Sequence, residues 1–189
     1  MVGASPDTLS VGVAGIAILV VLVGMFVELR VSQANEKEYR RRGAVEAPDP
    51  VYAIMRWAYP GAFVLMAIEG GLSGVALGWQ TLAGAVLFVS AKALKVWAIR
   101  CLGPRWTYRV LVLPGAPLVT TGPYAFIHHP NYVAVVGELI GMALTMHAAV
   151  TGPLMTLFFT EFLRRRIAAE ERALGRAPRA GIPASVDRR

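Results

Sequence analysis

Residues 8–27, "TLSVGVAGIAILVVLVGMFV", run for 20 positions without a charged side chain. As a helix rising ~1.5 Å per residue, such a run covers ~30 Å, the thickness of a bilayer's hydrocarbon core. The chain as a whole agrees: 56% of its residues are hydrophobic and its mean hydropathy is +0.53, too apolar for an ordinary soluble domain. A net charge of +7 would suggest nucleic acid in a soluble protein. Here the charges are segregated from the apolar runs, so membrane topology accounts for them and no nucleic-acid partner is expected. The opening "MVGASPDTLS" places no basic residue ahead of the first run, which argues against a cleaved signal peptide and for a first helix that stays. The single cysteine, Cys101, allows no internal disulfide, and the sequence contains no Cys/His cluster spaced for a metal.

Apolar periodicity and breakers predict helices over 8–28, 52–70, 75–99, 131–147 and 151–172. Glu28 and Arg30 close the first. The polar, basic stretch "NEKEYRRRGAVEAPDP" holds two prolines and reads as part of a loop over 30–51. Lys92 and Lys95, near the end of the third helix, are placed to snorkel. Residues 100–130 carry Gly103-Pro104, Pro114-Gly115 and Gly122-Pro123, so they form a second loop, in which "RVLVLPGAPLVT" suits short extended pieces. Residues 132–160 fit either one long tilted helix or a hairpin broken near Gly152-Pro153. Charge decides between them. Lys and Arg number six in 30–56, five in 92–109 and eight in 164–189, which accounts for all 19, and the turns near 69–78 and 147–152 hold none. A hairpin puts every positive charge on one side of five spans. The expectation is therefore an all-α integral membrane fold of five transmembrane helices, the last two a hairpin, with the N-terminus out, the C-terminus cytosolic and both loops cytosolic. Residues 1–174 form one domain. Residues 175–189 read as a basic, disordered tail near the lipid surface.

The stretch "GPYAFIHHPNYVAVVGE", 122–138, is unusual for the mouth of an apolar helix. Pro130 suits a first helical turn, and it pushes His129 towards an extended conformation. The unpaired N–H groups of that turn can receive an anion, and His128, His129 and Tyr132 surround the same mouth. Asn131 and Glu138, seven apart, share a helix face. An acid inside a span faces either a polar cavity or a structural partner, here a loop arginine such as Arg105 or Arg109. The final helix ends "EFLRRRIAAEERAL", where Glu161 and Arg165, and Arg166 and Glu170, stand four apart. By composition alone this is a salt-bridged helix end, just as the histidine pair alone is a solvated anchor, and Trp57, Trp79, Trp97 and Trp106 suit an aromatic belt. The hairpin changes that reading, because it brings Pro130 and Arg166 to a common base.

"TGPYAFIHHPNYVAVVGE" followed by "RRRIAAEERAL", with "WAIRCLGPRWTYRVLVLPGAPLV" upstream, resembles the isoprenylcysteine carboxyl methyltransferase family, over about residues 96–174. The resemblance implies an integral membrane enzyme that transfers a methyl group from S-adenosylmethionine, with its cofactor pocket built from the His-Pro loop and the last helix. The chain has no Gly-x-Gly-x-x-Gly fingerprint. Carried over by position, His129, Pro130 and Tyr132, with Tyr124 and His128, contact the cofactor. Glu170 and Glu171 close the pocket and Arg166 faces the reaction centre. Two departures stand out: His128 occupies a position where the family usually has arginine, and the Phe-Gly-x-x-Tyr continuation after Glu171 is missing. Some bacterial relatives look like methyltransferases for lipophilic small molecules such as long-chain alkylated phenols.

Two kinds of acceptor follow. A carboxylate, as on a prenylated cysteine-like compound, needs no base, and Arg166 can grip it bidentately. A phenol, with a pKa near 10, benefits from a base, for which Glu138 or Glu170 is the candidate. The expected setting is a bacterial inner membrane, with the site at the cytosolic face. The rival readings are an NADPH-dependent membrane sterol-type reductase, which also carries a His-Pro-Asn-Tyr element, and a non-enzymatic membrane scaffold.

Overall fold

The computed structural model describes residues 8–175, so the tail expected from residue 175 lies, after its first residue, outside the described residues, as do residues 1–7. Five helices follow in order: α1 (Thr8–Arg41), α2 (Tyr52–Ser73), α3 (Trp79–Leu102), α4 (Pro130–Thr145) and α5 (Thr151–Ala173). By length and composition α1 and α3 are each able to cross a membrane. Large apolar side chains point outward along the helices, among them Ile16, Phe26, Leu72, Leu82 and Leu157. A soluble monomer does not usually expose so much apolar surface.

The largest correction concerns α1. It does not end at residue 28 but runs 34 residues, through the first part of the expected loop over 30–51. Nothing in "LRVSQANEKEYRR" breaks a helix, and the prolines stand further on, beyond Gly43. Glu36–Arg40 and Glu38–Arg42 pair one turn apart, the spacing that supports a solvated helix. The helix stops where Gly43 takes φ +90°, a left-handed conformation natural to glycine. Beyond it, β1 (Val45–Glu46) pairs antiparallel with β2 (Leu111–Val112), which realises the extended piece expected in the second loop. Arg40 and Arg109 hydrogen-bond Glu46 and hold its carboxyl below the usual range.

Small residues bring α3 and α4 together. A Cβ on Gly141 would lie 2.6 Å from the Phe88 backbone N, one on Gly84 2.5 Å from the Thr145 N, and one on Gly137 2.9 Å from the Ala91 Cβ. Gly137 and Gly141 form a Gly-x-x-x-Gly seam that permits close backbone approach, and Glu138 sits inside it. The α4–α5 hairpin turns at His147, which takes φ 51°. Glu69, at the end of α2, accepts hydrogen bonds from the N–H groups of Val150 (2.9 Å) and Thr151 (2.7 Å) and so caps the start of α5. The α2–α3 and α4–α5 turns therefore share one end of the bundle. The C-termini of α1, α3 and α5 and the N-termini of α2 and α4 share the other, where Asn35 on α1 bonds the carbonyls of Gly103 and Trp106. Of the four tryptophans, Trp57, Trp79 and Trp97 stay exposed, while Trp106 is buried and packs on Tyr108.

Candidate active site

The site grows from the entry to α4. Residues Gly122–Ala125 make a 3₁₀ turn. Gly122 takes φ +61°, and a Cβ there would lie 2.3 Å from Cys101 Sγ, so the turn docks directly on the end of α3. Pro130 then opens α4, and His129 before it stands outside the helical region at φ −127° and ψ 64°, with no side-chain capping bond. The last turns of α5 lie alongside. The Tyr132 hydroxyl donates to Glu170 Oε2 at 2.7 Å and accepts from Arg166 Nε at 3.2 Å. His129 Nε2 is 3.3 Å from Glu171 Oε1, and its ring stacks on Tyr132 at 5.5 Å between centroids. The two motifs, 38 residues apart between Tyr132 and Glu170, thus meet through side chains.

A cavity of about 740 Å³ begins here. Tyr124, His128, His129, Tyr132, Arg166 and Glu170 line it. Pro130 and Glu171 do not. Pro130 is fully buried and sets the start of the helix. Glu171 stands behind His129. Burial and then the charge of Glu170 push the Tyr124 phenol well up, so it stays protonated.

Arg166 is 7% exposed. Each of its three nitrogens is engaged: Nε with Tyr132, Nη2 with the Tyr108 carbonyl, and Nη1 at 3.2 Å from Asp49 Oδ2. The expected bidentate grip on a carboxylate would have to displace one of these partners. Asp49 also accepts from the Val51 N–H, which fixes the chain entering α2.

In the wall of the cavity, partly behind it, lies a group that sequence reasoning missed. Lys92 Nζ lies 2.9 Å from Glu28 Oε1 and 3.0 Å from Glu138 Oε2. Lys95 Nζ lies 2.8 Å from Glu28 Oε2 and 3.5 Å from Glu138 Oε1. The Tyr59 hydroxyl donates to Glu138 at 2.5 Å, and the Tyr108 hydroxyl approaches Glu28 at 3.5 Å. Two acids and two lysines make a neutral buried square. Glu138, 1% exposed, therefore pairs with α3 and not with Arg105 or Arg109, and it does not line the cavity. Lys92 and Lys95 do not snorkel; they reach inward. Glu28, Tyr59, Lys95 and Tyr108 do line the cavity. Burial and the charge of Glu28 push the Tyr108 phenol up, so it too stays protonated. A signal for the square exists in the sequence: two of only three lysines in an arginine-rich chain stand three apart in an apolar helix, with one acid at the end of the first run and another inside the fourth.

Apolar side chains line the same cavity, Met25, Phe26 and Leu29 of α1 and Met55 and Pro60 of α2, and so do Glu36, Arg56, Arg105 and Arg109. A single cavity thus joins a polar basin to an apolar corridor, an arrangement suited to a reaction between a polar and a lipophilic partner.

The described residues form five helices, two of them able by length and composition to cross a membrane, with a cavity lined by all five. Residues 84–176 match the isoprenylcysteine carboxyl methyltransferase family, and the chain belongs to that family. It is 31% identical to the uncharacterized protein YpbQ of Bacillus subtilis over 157 residues, which covers 83% of this chain and 94% of that one. It is 24% identical to an uncharacterized protein of Haemophilus influenzae over 155 residues, 82% of this chain and 90% of the other. No solved structure matches the chain. Family membership implies a membrane methyltransferase.

Proposed function

We propose that this protein is an integral membrane S-adenosylmethionine-dependent O-methyltransferase acting on a lipophilic acceptor. The observation that carries the reading is the single cavity that runs from the His129–Glu170 basin to the apolar corridor between α1 and α2. The basin's donor set fits the cofactor: aromatic rings of Tyr124, His129 and Tyr132, the acid Glu170, and the first turn of α4, which lacks a capping side chain. Bound there, S-adenosylmethionine supplies an electrophilic methyl on a sulfonium. The chain's own work is then positional. Tyr132 and Arg166 hold Glu170, the packed α3–α4 seam fixes the helix that carries His129, and the corridor aligns the acceptor's chain, since much of the rate of a displacement comes from orientation.

The topology that goes with this function takes all five helices as spans. The Pro130 end of the bundle lies in the cytosol and the capped turns at Glu69 and His147 lie outside. The distribution of Lys and Arg supports it. Helix α4, at 16 residues, rises only ~24 Å and relies on its seam with α3 instead of facing lipid all round. Residues 1–174 act as one domain in a bacterial inner membrane, with lipids and the acceptor as partners.

The test is transfer of labelled methyl from S-adenosylmethionine, in membranes holding the protein, to a panel of long-chain acids, phenols and thiols. Label is expected in at least one acceptor class and absent from membranes without the protein; equal labelling in the two would overturn the proposal. Family membership favours methyl transfer over nicotinamide-dependent reduction, and binding measured with both cofactors separates the two.

A further inference from the structure

Asp49 stands in the segment between α1 and α2 and takes no part in the wall of the cavity. Its side chain is only 6% exposed, so its charge needs a partner inside the protein. One oxygen, Oδ1, accepts from the Val51 N–H at 3.2 Å and holds the carboxyl at the entry to α2. The other, Oδ2, is buried and lies 3.2 Å from Arg166 Nη1. The segment that carries Asp49 is itself anchored: Val45–Glu46 pairs with Leu111–Val112, and the Ala47 N–H donates to the Val110 carbonyl at 2.9 Å.

Arg166 needs such an anchor. A guanidinium on a long stem turns easily, and its place is set by whatever its nitrogens meet. Tyr132 and the Tyr108 carbonyl are neutral partners, and the Tyr52 ring lies under the guanidinium at 5.9 Å. Asp49 alone among the described residues pairs with it as an ion. The acids that line the cavity are engaged elsewhere: Glu28 with Lys92 and Lys95, Glu36 with Arg40 and Arg109, and Glu170 with Tyr132 and His129. The other arginines of the cavity are held apart from Asp49. Arg109 pairs with Glu36 and Glu46, Arg105 donates to the Pro117 carbonyl, and Arg56 lies over the Trp57 ring at 5.1 Å. Neutralising Asp49 leaves the buried Arg166 charge without its counter-ion, and a charge so placed shifts towards another partner.

From this juxtaposition we infer that Asp49 is a positioning residue of the cofactor basin: it pins the Arg166 guanidinium, and Arg166 in turn sets the Tyr132 hydroxyl and with it Glu170. The inference rests on the methyltransferase reading and extends it to the first half of the chain, since the family match over residues 84–176 includes Tyr132, Arg166 and Glu170 but not Asp49. The relay runs from Asp49 Oδ2 to Arg166 Nη1, from Arg166 Nε to the Tyr132 hydroxyl at 3.2 Å, and from that hydroxyl to Glu170 Oε2 at 2.7 Å. Asp49 does not line the cavity, so it acts only through Arg166.

The experiment measures S-adenosylmethionine affinity by titration calorimetry for purified wild type, Asp49→Asn, Tyr132→Phe and the double variant. Asparagine keeps an acceptor for the Val51 N–H and removes the charge. Asp49→Asn is expected to weaken binding about tenfold in the wild-type background and by less than about threefold in the Tyr132→Phe background, because residues that act through one network do not add. An unchanged affinity for Asp49→Asn, or the same loss in both backgrounds, overturns the inference. Should Asp49→Asn not fold, Asp49→Glu keeps the charge but moves it by one methylene. It is expected to bind about threefold or more weakly, since small misplacements propagate to a bound ligand, and wild-type affinity overturns the inference. A wild type that binds no S-adenosylmethionine ends the methyltransferase reading itself, whereas a wild type that binds it and an Asp49→Asn that binds it equally end this inference alone.

Discussion

Tyr132 joins the two halves of the basin through one hydroxyl, which donates to Glu170 and accepts from Arg166. Tyr132→Phe removes both bonds and leaves the ring stacked on His129, so affinity for S-adenosylmethionine should fall about tenfold with the fold intact, as titration calorimetry would read. An unchanged affinity would mean the hydroxyl is mere packing. Glu138→Gln acts differently. It leaves Lys92 and Lys95 short of one buried counter-charge, and should cost about 3 kcal/mol in a denaturation measurement. Residues of the basin were legible in the sequence because they cluster in two short motifs and share chemistry with a known family. Glu28 was not. It stands 64 positions before Lys92, and at the end of an apolar run it looks like an ordinary full stop.

At the scale of elements, the α3–α4 seam is the contact that places Glu138 against the lysines. Gly141→Ala sets a Cβ 2.6 Å from the Phe88 backbone N, and since backbone cannot swing aside as a side chain can, it should destabilise the protein by about 1–3 kcal/mol. Gly61→Ala, on a face of α2 with nothing within 4 Å, should be neutral or stabilise by up to about 1 kcal/mol. Thermal melts of the two variants in the same detergent check the contrast, and equal shifts would refute it. Four of the five helices begin and end within a few residues of where apolar runs and breakers put them. The fifth overran because charge was read as a loop signal, whereas Glu36–Arg40 and Glu38–Arg42 are spaced to support a helix outside the bilayer. The seam itself was hidden. "GELIG" reads as apolar sequence until a neighbour's backbone is known to press against it.

For the whole molecule, the proposal sets the basin in the cytosol, where a polar cofactor is available, and the corridor in the bilayer, where a greasy acceptor resides. A reporter active only outside the membrane should be silent when fused after Arg189, and an active one would invert the topology. The hairpin was legible because 19 basic residues avoid two turns, a property of the entire chain. The cavity was not, because its walls come from all five helices and from the segment between α3 and α4, and no local pattern encodes such a meeting. The most direct test of the central claim is equilibrium binding of S-adenosylmethionine to the purified protein, with NADPH alongside. The account predicts that S-adenosylmethionine binds, that NADPH neither binds nor displaces it, and that Tyr132→Phe weakens it; a protein that binds NADPH, or that binds no S-adenosylmethionine at all, would contradict the account.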